Sequence, residues 1–271
     1  MKLRVEHITT FEYDSPITEG YTELRLKPLD TAGQRCLSFT VETDPSARVH
    51  RYLDRHGNDV RHFDVLGPHA RLVVLARSEV STPETLADEQ TRLDPLQRHD
   101  YLGPSPRAPF RENVRAFAAA CRVPAEPRTT MERIVDAVRA RLRYEPGATD
   151  VETDAAEALD HGRGVCQDFA HLGLAACRLN GLPARYVSGY VHAPGQASGA
   201  ASHAWLDVFF EGRGWVSIDP THDTPQTPRH VRVAVGRDYA DVPPTRGVFK
   251  GDAGERLSVK VTVGEQPATF P

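Results

Sequence analysis

Apolar and polar residues follow strand-like patterns through residues 2–13, 21–29, 37–43, 49–53, 60–65 and 71–80, with clear period-two alternation in 37–43. Turn-forming runs such as Asp54-Arg55-His56-Gly57-Asn58-Asp59 separate these stretches. Several short strand-like segments at this spacing predict a sandwich- or barrel-like β domain over residues 1–80. Residues 81–109 are polar and carry Pro83, Pro95, Pro104, Pro106 and Pro109, which reads as a linker holding a short helix. Beyond residue 110 the period changes to that of a helix. Val114, Phe117 and Ala118 mark one helix, and Ile134, Val135, Val138 and Leu142 line a second that opens at Thr129-Thr130. Asp154-Ala155-Ala156-Glu157 is a capping pair for a short helix ending near Gly162. Phe169, Leu172, Ala176 and Leu179 give another helix one buried face, and Asn180-Gly181 stops it ahead of Pro183. Three strands follow, at 184–192, 202–210 and 215–219, the last two joined as a hairpin by Glu211-Gly212-Arg213-Gly214. The final alternating run, 256–263, pairs either with this second sheet or with the N-terminal one. The expected fold class is α+β. An N-terminal β-sandwich-like domain (1–80) and the linker (81–109) precede an α+β core (110–250) and a C-terminal strand (251–271).

Candidate chemistry sits at three of these elements. Gly162-Arg163-Gly164-Val165-Cys166 places a thiol at the start of the Phe169 helix. A helix N-terminus offers unpaired N–H groups and partial positive charge, which favour the reactive thiolate. Strand 202–210 opens with His203, and strand 215–219 ends with Asp219, so the hairpin brings the two together. A thiol, an imidazole base and a carboxylate that orients the imidazole are the parts of a nucleophilic acyl-transfer site. Gln167 and the Cys166 backbone N–H are candidate donors to a developing oxyanion, and Trp205 is a candidate lining residue beside His203. His222 and Asp223 are weaker alternatives for the role of Asp219. Asp168 is expected to point away from the sulfur, towards an arginine such as Arg185. The loop 193–201 reads either as a lid or as a plain connection.

The segments Gly162–Phe169, Ser202-His203-Ala204-Trp205 and Ser217-Ile218-Asp219-Pro220 resemble the transglutaminase-like superfamily. The opening Leu3-Arg4-Val5-Glu6-His7 run, with Leu24-Arg25-Leu26-Lys27-Pro28, resembles the N-terminal region of bacterial transglutaminase-like proteins. So does Val235-Gly236-Arg237-Asp238-Tyr239. The resemblance implies a papain-like arrangement in a transglutaminase-like core. Cys166 would be the nucleophile, His203 the general base and acid, and Asp219 the orienting carboxylate. It implies thioester chemistry on a peptide or protein amide, resolved by water or by an amine acceptor. The family also includes inactive members, so a binding module with a vestigial triad is the alternative, as is recruitment of a protein partner by the N-terminal domain.

Composition narrows the rest. The net charge of −4, with basic residues scattered, gives no footprint for nucleic acid. No apolar run reaches the ~20 residues that span a bilayer, and the first residues lack a signal-peptide core. These features predict a cytoplasmic protein with no membrane contact. Cys36, Cys121 and Cys177 are expected to be free, small buried apolar residues. His161, Cys166, His171 and Cys177 match no zinc spacing, no nucleotide motif appears, and no cofactor is expected. His7, His50, His56 and His62 read as surface or pairing residues.

Overall fold

The structure is a computed structural model and describes residues 1–82, 90–192, 202–222, 224–225 and 227–265. The first quarter forms β1 (Lys2–Leu24), β2 (Arg35–Asp44), β3 (His50–Leu53) and β4 (Asp59–Ser81). Helices α1 (Pro95–Leu102), α2 (Glu112–Cys121) and α3 (Pro127–Arg141) follow. A short parallel pair, β5 (Arg143–Tyr144) and β6 (Arg163–Gly164), brackets α4 (Ala155–His161). Helix α5 (Cys166–Leu179) leads into β7 (Ala184–Val191), β8 (Ser202–Phe210), β9 (Gly214–Asp219), β10 (Thr224–Pro225) and β11 (His230–Gly236). The chain closes with β12 (Thr245–Lys250) and β13 (Glu255–Glu265).

Strands β1 and β4 pair antiparallel along nearly their whole length. Each therefore joins two of the segments that turn residues separate in the sequence. Register shifts between Glu12 and Ile17, and again before Glu19, place Pro16 at a bulge, where its missing N–H leaves no gap in the ladder. The sheet folds over at this point. Phe11, Leu72 and Val74 from one half pack in one cluster with Leu24, Phe63 and Val65 from the other, so a single sheet encloses a sandwich-like core. Strands β13 and β12 pair with the first and second halves of β1. The C-terminal run thus returns to the N-terminal sheet, and Thr245–Lys250 joins it there.

The second sheet is antiparallel, in the order β10-β9-β8-β7-β11. Helix α5 lies between this sheet and α2, α3 and α4. It is buried on all sides from Gln167 to Arg178, not along one face. Small residues allow that enclosure: at Gly173 a Cβ would stand 3.3 Å from Leu206. Helix α3 begins two residues before Thr129, because Pro127 suits the first turn, where its absent N–H has no intrahelical partner.

The two sheets meet along β7 and β11. Leu3, Val5, Val80, Val261 and Val263 pack on Tyr190, Val231 and Val233. His7 belongs to this contact and is not a surface residue. Its Nδ1 is 2.9 Å from the Tyr190 hydroxyl and its Nε2 is 3.1 Å from Thr9 Oγ1. The outer edge of β11, at the end of the second sheet, is buried and finished by side chains. The Gln34 amide donates to the Arg232 carbonyl and accepts from the Arg232 N–H, both at 2.8 Å. The Asn58 amide does the same for Val235, again at 2.8 Å. Each amide stands in for a peptide unit of a neighbouring strand. Cys121 and Cys177 are buried, whereas Cys36 is half-exposed because β2 packs on only one side. No described helix is long and apolar enough to cross a membrane.

Candidate active site

Helix α5 begins at Cys166, and the geometry of its first turn is set by Asp168. The Asp168 carboxylate reaches back to accept the Val165 N–H at 2.7 Å and the Thr149 hydroxyl at 2.6 Å. It therefore caps its own helix and does not pair with Arg185, which instead bonds Asp207 at 2.9 Å. The reach-back needs an empty space at Gly164, where a Cβ would lie 2.4 Å from Asp168 Oδ2. Burial raises the Asp168 carboxyl pKa against the opposing hydrogen bonds from Thr149 and Val165. The N–H of Cys166, in the first helical position, has no intrahelical acceptor and remains available to a bound group.

Strands β8 and β9 pair with Leu206 opposite Ile218. That register sets Asp219 at the level of Trp205, and His203 stands two residues further on the same face. His203 Nε2 lies 2.7 Å from Asp219 Oδ2. The other ring nitrogen, Nδ1, is left free for the neighbouring Cys166 sulfur, which is close enough to influence the His203 pKa. Burial by itself would lower the His203 pKa. The hydrogen bond to Asp219, together with the nearby Cys166 sulfur and the Asp219 charge, overcomes it and raises the pKa to about 10. Burial would likewise raise Asp219, but its bonds to His203 and neighbouring histidines hold it well below the usual carboxylate range.

Trp205 is fully buried and stacks beneath His203, with ring centroids 6.0 Å apart. It forms the floor under the imidazole. It lies flat because Gly189 on β7 has no side chain: a Cβ there would meet the indole at 2.5 Å and the Val231 carbonyl at 2.1 Å. Val187, Val235 and Leu29 pack around the same indole. Leu29 precedes β2, so the N-terminal region supports the imidazole from behind. Gln167 is buried, and its amide donates to the Asp150 carbonyl at 3.5 Å, which ties the helix start to the preceding loop. Asp223 and the loop 193–201 lie outside the described residues.

Two further histidines converge on Asp219. His222 Nδ1 is 2.9 Å from Asp219 Oδ2, and its ring centroid is 4.9 Å from that of His203. His230, which the sequence reading passed over, is buried with Nε2 3.6 Å from the same oxygen. The remaining oxygen, Oδ1, accepts the Thr221 N–H at 2.9 Å. The signal for His230 was slight: one imidazole just before an apolar strand. Among the described residues, His203, Asp219 and His222 form a group with spacing suited to a metal ion, their ligand atoms lying within 4.8 Å of one another. The arrangement can take a proton from a thiol, hold the resulting cation, and return the proton to a leaving group.

Residues 115–220 match the transglutaminase-like superfamily, and residues 3–81 match the bacterial transglutaminase-like N-terminal region. An uncharacterised protein of Mycobacterium leprae (strain TN) is 37% identical over 276 residues, covering 97% of this chain and 98% of its own. A protein-glutamine gamma-glutamyltransferase of Pseudomonas aeruginosa is 28% identical over 156 residues, covering 52% of this chain and 22% of its own. The crystal structure of a Cytophaga hutchinsonii protein, provisionally described as a cysteine protease, shares the fold. Its TM-score is 0.79 at 22% identity, over 99% of this chain and 92% of that one. With the mycobacterial likeness running through both sheets, the chain belongs to the transglutaminase-like superfamily and carries the bacterial transglutaminase-like N-terminal region.

Proposed function

We propose that the chain is a cysteine-dependent amide hydrolase acting on a peptide or protein substrate. The observation that carries this reading is the His203–Asp219 contact of 2.7 Å beside a thiol at a helix N-terminus. His203 takes the Cys166 proton, and the thiolate attacks the amide carbon. The carbonyl oxygen gains negative charge near the Cys166 N–H. His203 then protonates the nitrogen as the carbon–nitrogen bond breaks, which leaves a thioester and releases an amine or ammonia. Water, deprotonated by His203, attacks the thioester and returns the thiol and a free acid. Asp219 fixes the imidazole tautomer and stabilises its cation throughout. A reducing compartment such as the cytosol suits this reading, since all four cysteines are unpaired and the nucleophile must stay reduced.

The Pseudomonas likeness favours a second reading, in which an amine resolves the thioester. One experiment addresses both. Cys166 alkylation by iodoacetamide is followed against pH by site-resolved mass spectrometry, with the other cysteines as internal controls. Fast labelling well below the free-thiol pKa of about 8.5, lost in His203→Ala, is the expected result. Peptide amides are then offered with and without a labelled amine. Release of acid supports hydrolysis, and label incorporation replaces it with transamidation. Cys166 labelling with an ordinary thiol profile would remove the ion pair on which both depend.

A further inference from the structure

We propose that His203, Asp219 and His222 form a binding site for a zinc-class divalent cation that switches the enzyme off. The switching rests on the triad reading above, while the binding site rests on geometry alone. Two imidazole nitrogens and a carboxylate oxygen are the ligand set of a borderline cation. The oxygen-seeking calcium and magnesium are poor matches to it.

Both histidines aim at one oxygen. His203 Nε2 and His222 Nδ1 stand 2.7 and 2.9 Å from Asp219 Oδ2. A tetrahedral ion with bonds of about 2.0–2.1 Å separates its ligand atoms by about 3.3 Å. A cation can therefore replace the two bridging protons if each nitrogen moves a few tenths of an ångström from Oδ2 and the two nitrogens, which lie within 4.8 Å of each other, adopt the same spacing. His222 can supply that movement, because its side chain is 57% exposed. The same exposure gives the ion a path from solvent.

The surroundings hold the carboxylate in place for this exchange. His230 Nδ1 accepts the Thr227 N–H at 3.1 Å, so its own proton resides on Nε2. That buried nitrogen has no hydrogen-bond partner and stands 3.6 Å from Asp219 Oδ2. Its N–H faces the carboxylate beyond hydrogen-bond distance and attracts it through partial charge alone, and the nitrogen does not act as a ligand. With the Thr221 N–H on Oδ1, it keeps Asp219 oriented when the other two donors turn to a metal.

Occupancy has a direct chemical consequence. An ion on His203 Nε2 puts the ring proton on Nδ1, the nitrogen that must accept the Cys166 proton. The base is then blocked, although the thiol itself is not covered.

Metal-free protein is titrated with zinc chloride in competition with a chromophoric chelator. Wild type, Cys166→Ala, His222→Ala and His222→Asn are compared, and circular dichroism checks the fold. One ion per chain is expected, with Cys166→Ala unchanged and both His222 variants weakened by about tenfold or more. Cys166 alkylation in wild type should slow in step with zinc occupancy and recover with excess chelator. Absence of zinc binding would overturn the site, as would its loss in Cys166→Ala or its persistence in folded His222 variants. Fast alkylation of metal-free enzyme with no zinc binding would sink the cation site and leave acyl transfer standing. Zinc binding with slow metal-free alkylation would keep the binding site and sink the triad reading, and the switch with it.

Discussion

On acidification from pH 7 to pH 5 the buried histidines His7 and His171 should together cost about 4 kcal/mol of stability, about half of it from His7. His7 is 2% exposed, and burial holds its pKa at about 4, down from 6.5. As the pH falls, the unfolded chain takes up this proton near 6.5, while the native protein does so only near 4. The unfolded state gains in between, so stability present at neutral pH is lost across that window. At pH 5 one such group costs about 2 kcal/mol. His171 adds a similar amount, since burial, aided by Arg178 and opposed by Asp238, lowers it to about 3. Groups with raised pKa values offset part of this loss: buried Asp168 takes up its proton earlier in the native state than in the unfolded chain. His203 is raised, so its contribution is complete below 6.5 and is lost from there up to about 10; acidification from pH 7 restores a part of it, about 1 kcal/mol. Burial pushes Asp207 up, but Arg232 and Arg185 bring it down to about 2, so its loss begins well below pH 5. The assay is urea unfolding at pH 7, 6 and 5, for wild type and for His7→Gln, whose amide keeps Tyr190 and Thr9 in reach. The variant should lose about 2 kcal/mol of the pH dependence. A flat wild-type profile, or an unchanged slope in the variant, would refute the reasoning.

Asp207→Asn should cost about 3–5 kcal/mol in a urea titration, because Asp207 is the buried partner of Arg232 and Arg185. Gly189→Ala should cost about 3 kcal/mol or more by thermal melting, since the new methyl group meets the Trp205 ring and the Val231 carbonyl. An unaltered melting temperature would contradict the assigned packing. Asp168→Ala should cost about 1 kcal/mol through loss of the cap on α5, and Cys166 alkylation should slow with it. A fragment beginning after residue 82 should aggregate, because Tyr190, Val231 and Val233 lose their cover. A monodisperse fragment in gel filtration would show that the core stands alone.

The place of Cys166 at the start of α5 and the meeting of His203 with Asp219 were legible because each sits on a strong local signal. Cys166 follows a glycine-flanked turn and opens a helix, and His203 and Asp219 bound a hairpin whose alternation and Gly212–Gly214 turn are plain. Helix α4 was equally clear, with Asp154 accepting from Ala156 and Glu157 as its capping pair predicts. What escaped depends on contacts distant in sequence. Strands β1 and β4 read as separate pieces because Pro16 and Gly67-Pro68 look like breaks, whereas the folded sheet uses those positions to bend. His230 converges on Asp219 through the position of β11, which no local pattern encodes. Gln34 and Asn58 look like turn residues, and their match to the β11 backbone exists only once both sheets have formed. Asp168 was expected to find an arginine; the Val165 N–H, three residues away, was closer.

The placement of β12 and β13 beside β1 has a consequence for biosynthesis. β1 is synthesised well before β12 and β13, so one of its edges stays open until the intervening α/β core has been made. The core must therefore fold, or wait, beside an unfinished sheet whose free edge can pair with another nascent chain. Such long-range pairing is intrinsically slow to form. Production of this protein should thus be limited less by the stability of the finished fold than by how well that edge is protected until the last strand arrives.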